Sequence, residues 1–157
     1  MSTDGTPNYS FCKGSPAFEG LSDTDIGSIL SAAQPVEVAG GQVLFQQGDD
    51  GGTMYVITRG RVRVLLEEDN GEQTLLNVLD RGAHFGELSM LIRSPRNATV
   101  VAVVDTELLA LSSEQFADAV ESVPQFAINL SRSLGRWLRG ELLGQRQQVI
   151  RSVFAVV

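Results

Sequence analysis

A glycine, a glutamate and an arginine within HFGELSMLIRSPRNATV, residues 84–100, are the residues whose types could do chemistry together. Gly86 admits backbone conformations closed to other residues and lets the chain approach a ligand closely. Glu87, Leu88 and Ser89 would then open a short helix. The first N–H groups of such a helix have no partner inside it and can face an anion. Arg96 stands nine positions after Glu87 and offers a planar, two-pronged donor suited to phosphate or carboxylate. Pro95 fixes its own φ and biases Ser94 toward an extended conformation, so the loop aims Arg96. A carboxylate beside a bound phosphate is repelled by it. Glu87 is explained if it accepts a hydrogen bond from a hydroxyl on the same ligand, and phosphate with an adjacent hydroxyl describes a ribose phosphate. The same spacing also suits a plain Glu87–Arg96 ion pair that holds a loop. Residue types alone leave both readings open.

The elements that must position these residues are mostly strands. PVEVA, QVLFQ, TMYVITR, RVRVLLEE, QTLLNVL, TVVAVV and TELLALS are short β-branched runs, punctuated by GG, QGDDGG, RG, DNG and DRG. Many short strands at close spacing indicate a sandwich, jelly roll or small barrel. RVRV alternates cleanly, so one of its faces should be wet. Helical signals flank the strands. Ser22 begins SDTD, an N-cap with acids in the first turn, and Ile26, Ile29 and Leu30 continue it as an apolar face. SSEQFADAVES repeats the cap signal. Pro124 then opens a longer helix with an apolar stripe at Phe126, Leu130, Leu134, Trp137, Leu138 and Leu142. Gly135 and Gly140 weaken that helix by up to roughly 1 kcal/mol each relative to Ala. VIRSVFAVV, residues 149–157, reads as a buried strand, as though the chain were cut from a longer protein or carried a swapped or edge strand.

Bulk composition narrows the function classes. The chain has 157 residues, 43% hydrophobic and 20% charged, which suits one domain with a real core. Its net charge of −7 opposes non-specific attraction to nucleic acid or an anionic membrane, but not a small anion in a local basic pocket. Cys12 is the single cysteine, so no internal disulfide forms and a cytoplasmic setting is expected. MSTDGTPNYS lacks a basic region followed by an apolar one, so no signal peptide is expected. No apolar run approaches the roughly 20 residues of a membrane span.

HFGELSMLIRSPRNATVVA resembles the phosphate-binding cassette of the cyclic nucleotide-binding domain family. That family includes the catabolite activator protein, regulatory subunits of cyclic-AMP-dependent protein kinase and domains of gated channels. QGDDGGTMYVITRGRVRV is similar to the family's pattern upstream of the cassette, and the likeness spans roughly residues 18–142. The fold it implies is mainly β with flanking helices: an eight-stranded β-roll, or jelly roll, with an N-terminal helix and C-terminal lid helices. It implies that Gly86 and the amides of Leu88 and Ser89 face the cyclic phosphate and sugar. Glu87 would bind the ribose 2′-hydroxyl, and Arg96 the phosphate. Asn97 and Ala98 follow in the cassette, and Val64 and Leu76 fall where relatives line the pocket with apolar side chains. Asn97 departs from the usual Ala, Ser or Thr. Members favouring cyclic GMP often carry Thr there, so the resemblance favours cyclic AMP, with cyclic GMP as the alternative. The purine also needs a cover, and Trp137 and Leu138 are the candidate lid residues, although both equally suit the core face of an amphipathic helix.

The expectation that follows is a non-catalytic sensor that relays binding through its C-terminal helix, with residues 1–16 as a loose tail, 17–145 as the binding domain and 146–157 as a linker or the start of a following domain. The alternatives are a regulatory domain of a larger enzyme or transporter, such as a patatin-type hydrolase, or a degenerate scaffold that binds no nucleotide. A linked or associated effector domain is expected as partner, and a homodimer is left open. No cofactor, metal or catalytic residue is expected. His84, the single histidine, supports no metal cluster or triad and reads as a partly exposed strand end. Ser89 sits in GELS, not in a nucleophile elbow. Arg59, Arg61 and Arg63 read as a solvated face, and Arg132, Arg136 and Arg139 as a solvated helix flank. No helix-turn-helix is seen after the roll, so no nucleic-acid contact by this chain is expected.

Overall fold

The β-branched runs become strands because their alternate side chains can be buried on one face of a pleated sheet. A computed structural model of the chain describes residues 8–142. Among these, β1 is Gln34–Val38, β2 Val43–Phe45, β3 Thr53–Arg59, β4 Arg61–Glu67, β5 Gln73–Asp80, β6 His84–Phe85, β7 Thr99–Ala102 and β8 Thr106–Ser112. They form two four-stranded antiparallel sheets, ordered β1-β8-β3-β6 and β2-β7-β4-β5. Seven strands lie on the expected runs. The eighth, β6, has two residues, too few to show a period. Along β4 exposed and buried residues alternate, with Val62, Val64 and Leu66 inward and Arg61 and Arg63 outward; Arg59, at the end of β3, is exposed as well. Arg61 Nε meets Asp80 at 2.6 Å on the wet face.

Four α-helices flank the roll: α1 Asp23–Leu30, α2 Glu87–Leu91, α3 Ser113–Ser122 and α4 Pro124–Leu142. The starts of three follow from local sequence. Ser22 Oγ accepts from the Asp25 amide at 3.1 Å. Ser112 and Gln115 form a reciprocal capping box, and the Gln115 side-chain amide also donates to Ala32 O at 2.6 Å, tying α3 to the end of α1. Pro124 sits where a missing N–H costs nothing.

Two apolar clusters hold the whole together. One fills the roll around Ile57, Val64, Phe85, Val100 and Leu108. The other lies among the helices, where Phe18 stacks on Phe126 at 5.9 Å and Phe116 meets Phe126 edge-on at 5.8 Å. Burying each such ring contributes roughly 1.5–3 kcal/mol.

Residues 8–16 depart from the expected loose tail. They form a 3-10 turn at Ser10–Cys12 that leads into a second at Pro16–Phe18, and Cys12, Ala17 and Phe18 are fully buried in the cluster formed with α1 and α4. Ser, Gly and Pro here make tight turns, while the apolar residues between them supply the burial that orders the segment. Cys12 is fully buried in this packing, and that burial pushes its thiol up to about 12, only partly countered by Arg81. The strand expected over residues 149–157 lies outside the described residues.

Candidate functional site

The segment from β6 to β7 crosses from one sheet to the other, and Gly86 makes the crossing. Its φ is +93°, and a Cβ there would sit 2.7 Å from Thr53 O and 2.8 Å from Arg96 Nη1. Only glycine tolerates both the angle and the contact. The chain therefore enters α2 abruptly, placing Glu87, Leu88 and Ser89 in its first turn, all buried.

Arg96 is 6% exposed and held from both ends. Its amide donates to Asp49 O at 2.8 Å, and its carbonyl accepts from the Gly48 amide at 2.9 Å, so the β2–β3 loop fixes its backbone. Its guanidinium lies 4.2 Å over the Phe45 ring. Nη1 donates to Gly86 O and Ser89 Oγ, both at 3.0 Å, and Nη2 donates to Thr53 O at 3.0 Å. Nε has no protein partner. Burial lowers the Arg96 pKa from its ordinary value, opposed by Tyr55, Glu87 and Asp49; it stays far above neutrality as guanidinium does. At Gly51, a Cβ would lie 2.6 Å from Ser89 Cβ and 3.5 Å from Arg96 Nε, so the loop backbone presses on the site.

Glu87 does not pair with Arg96, which removes the loop-holding ion pair from consideration. Its Oε1 sits 2.8 Å from His84 Nδ1, a close but bent contact, and its Oε2 has no protein partner. Burial pushes the Glu87 carboxyl up. The close approach of the His84 ring, the residue's own amide and the Arg96 guanidinium outweigh it, so the carboxyl ends below its ordinary value of 4.5 and is ionised at neutral pH. A carboxyl depressed by folding stabilises the protein above its unfolded value, and the contribution disappears as pH falls through the folded value. Wild type should therefore lose stability faster than Glu87→Gln as pH drops below 4.5. Urea midpoints across that range check this, and parallel curves for the two proteins would contradict it.

His84 corrects an expectation: it is 1% exposed, not a partly exposed strand end, because β6 runs beneath the Pro16–Phe18 turn. Nothing in residue type marks this burial; its partners are Ala17 and Glu87. Ala98 is buried in the roll cluster, and Asn97 is half-buried on the surface side. Val64 and Leu76 are buried inside the roll, while Leu66, two positions beyond Val64, reaches the recess next to the cassette. That recess has a volume of about 410 Å³, and Gly48, Leu66, Glu67, Arg96 and Asn97 line it. Its size falls within the roughly 300–1,000 Å³ of small-molecule clefts. The candidate lid does not reach it. Trp137 is half-buried and Leu138 is 51% exposed, and neither lines the recess. The buried face of α4 is Phe126, Asn129, Leu130 and Ser133, packed on the Pro16–Phe18 turn and α3, so the apolar stripe beyond Leu134 has little to cover.

The described residues hold no cluster of His, Cys, Asp and Glu able to bind a metal, and no helix among them is long and apolar enough to cross a membrane. Chemically, Glu87 Oε2 can accept a hydrogen bond and Arg96 Nε can donate one, both atoms being buried without a protein partner, while Arg96 Nη1 and Nη2 are already engaged.

A family described as "Cyclic nucleotide-binding domain" matches residues 35–123. The chain is 39% identical over 127 residues to the "Cyclic AMP receptor protein" of Thermus thermophilus, covering 81% of this chain and 59% of that protein. It is 32% identical over 108 residues to "Lysophospholipase nte1" of Aspergillus oryzae, covering 69% of this chain and 7% of that protein. This chain thus spans less than two thirds of the first relative and a small part of the second. Among solved structures, the catabolite activator protein of Thermus thermophilus superposes with a TM-score of 0.76 at 38% identity, covering 83% of this chain and 61% of that one. The regulatory domain of Toxoplasma gondii PKA with cAMP superposes at 0.64 and 29% identity, over 71% of this chain and 42% of that one.

Proposed function

The chain belongs to the cyclic nucleotide-binding domain family, and from that membership we propose that it is a non-catalytic sensor that binds cyclic AMP in preference to cyclic GMP and relays binding through α4. The observation that carries the reading is Glu87: a buried, ionised carboxylate with one oxygen partnered by His84 and the other, Oε2, without a protein partner, in the first turn after Gly86. A carboxylate in that state is costly unless it receives a hydrogen bond, and a ribose 2′-hydroxyl supplies one. In this reading the cyclic phosphate is met by Arg96 and by the amides of Leu88 and Ser89. Asn97 and Ala98 complete the cassette, and Leu66 joins Val64 and Leu76 on the apolar side. Preference for cyclic AMP rests on Asn97 standing where Thr accompanies cyclic GMP, and it accords with the name of the Thermus relative, a cyclic AMP receptor protein. A cytoplasmic setting suits the buried thiol of Cys12.

Isothermal titration with both nucleotides tests the proposal. Saturable heat with cyclic AMP, weaker with cyclic GMP, is expected. Absence of heat with either at protein concentrations on the order of hundreds of micromolar would sink it and favour a scaffold that binds no nucleotide.

A second reading makes this module the regulatory domain of a larger enzyme. It is favoured by the match to a lysophospholipase of which this chain covers a small share. Both readings assign the same ligand to the same residues and differ in the effector attached, which the full reading frame of the gene distinguishes.

A further inference from the structure

The binding reading leaves His84 without a task, yet it is buried beside Glu87 at the site. It lies on β6 opposite Val56 of β3, and its ring meets Phe18 edge-on at 5.9 Å. Its Nε2 accepts from the Ala17 amide at 3.1 Å. A nitrogen that accepts carries no proton, so the neutral ring holds its proton on Nδ1. That nitrogen lies 2.8 Å from Glu87 Oε1, within ion-pair range but too bent to count as a hydrogen bond in the unliganded chain. The contact occupies one carboxylate oxygen and leaves Oε2 as the other.

The chain of contacts continues away from the site. Asn129 is 2% exposed on α4, and its side-chain amide donates to Ala17 O and to Glu19 O, both at 2.9 Å. Its own Oδ1 accepts from the Gln125 side-chain amide at 3.0 Å. Ala17 thus receives α4 on its carbonyl and holds His84 with its amide.

We propose that His84 is the positioning residue of Glu87: it holds one carboxylate oxygen, aims the other at the sugar hydroxyl, and is itself held to α4 through Ala17 and Asn129. This deepens the nucleotide-binding reading and rests on it. A residue that acts through Glu87 must act on the 2′-hydroxyl and on no other part of the nucleotide. Cyclic AMP and 2′-deoxy cyclic AMP therefore separate positioning from packing.

The variant His84→Gln keeps a carbonyl oxygen for the Ala17 amide and gives up the Nδ1 donor. His84→Asn places an amide donor near the Nδ1 position. Calorimetry on the whole chain should show wild type favouring cyclic AMP over the deoxy form by about tenfold or more, the scale of a hydrogen bond to a charged group. In His84→Gln the ratio should fall to within about threefold, with affinity for the deoxy form nearly unchanged, and His84→Asn should recover part of it. An unchanged ratio in His84→Gln, or an equal loss for both nucleotides, overturns the positioning role. Wild type that binds neither nucleotide overturns the sensor reading and this inference with it. A second measurement needs no variant, because His84 is the single histidine of the chain. Its ¹⁵N spectrum should show a protonated Nδ1 and a bare Nε2, with Nδ1 shifted by cyclic AMP and not by the deoxy form. An Nε2–H tautomer, an imidazolium, or equal shifts with both nucleotides also overturns it.

Discussion

Arg96→Ala is expected to weaken cyclic AMP binding at least thirty-fold, about 2 kcal/mol or more, as for the loss of a charged contact to a buried anion. It should also lower the stability of the unliganded protein. Arg96 serves the fold before it serves a ligand. Its guanidinium satisfies Gly86 O, Ser89 Oγ and Thr53 O, and its flat face covers Phe45. Leaving such buried acceptors without a donor costs about 1–3 kcal/mol. Arg96→Lys separates the two effects. Lysine keeps the charge but lacks the rigid fork that reaches three acceptors at once, so it should recover binding more fully than stability. Calorimetry and urea unfolding on the same preparations read both quantities. Affinity of Arg96→Ala within about threefold of wild type would remove Arg96 from the phosphate contact, since a charged contact is worth more than that.

Gly86→Ala should cost about 3 kcal/mol or more of stability. The left-handed φ of +93° penalises any Cβ by roughly 1–2 kcal/mol, and overpacking adds about 1–3 kcal/mol. Here the new methyl would press on Thr53 O at 2.7 Å and on Arg96 Nη1 at 2.8 Å. The first of these is backbone of β3, which cannot step aside without opening the sheet. The second displaces the arginine from its carbonyl partners, so nucleotide binding should fall along with stability. At about 2–4 °C per kcal/mol for a domain of this size, the melting temperature should drop by roughly 6–12 °C. Gly135→Ala is the control. Gly135 lies in α4, nothing stands within 4 Å of the place its new methyl would take, and the change should be neutral or slightly stabilising. A Gly86→Ala melting temperature close to that of Gly135→Ala would show that the turn into α2 is not strained.

Local chemistry makes much of the fold readable, while the candidate site is marked by resemblance. The β-branched runs and the serine and proline helix signals each act over a few residues, so seven strands and three helix starts can be placed directly; the cassette is placed by the likeness of FGEL and PRNATV to the family's pattern. The partners of those residues cannot be placed in either way. The Ala17 amide on His84 Nε2 joins residues far apart in the chain, and a lone histidine before an aromatic carries no mark of being buried. Arg96 likewise shows its reach to phosphate in its residue type, but not the Thr53 and Gly86 carbonyls that hold it. The segment before Pro16 misleads for a related reason. Its Ser, Gly and Pro content suggests looseness, and only the space beside α4 explains why Phe18 and Cys12 are fully covered. For α4, the apolar stripe is visible, but the helix is longer than the surface it packs on, so Leu138 ends exposed where a cover was expected.

The strand order also constrains how the chain comes together. The β4–β5 hairpin closes over the short Glu68–Glu72 turn, which costs little chain entropy. β2 with β7, and β1 with β8, bring together segments from opposite ends of the roll, such as Val43 with Val101 and Val36 with Leu108. The cassette lies inside those outer pairings. Folding rate falls as contacts become more distant in sequence, so the hairpin is the natural nucleus and the ligand grip is assembled late. A nucleotide that binds the finished grip then acts as a kinetic lock: it slows unfolding far more than it speeds folding.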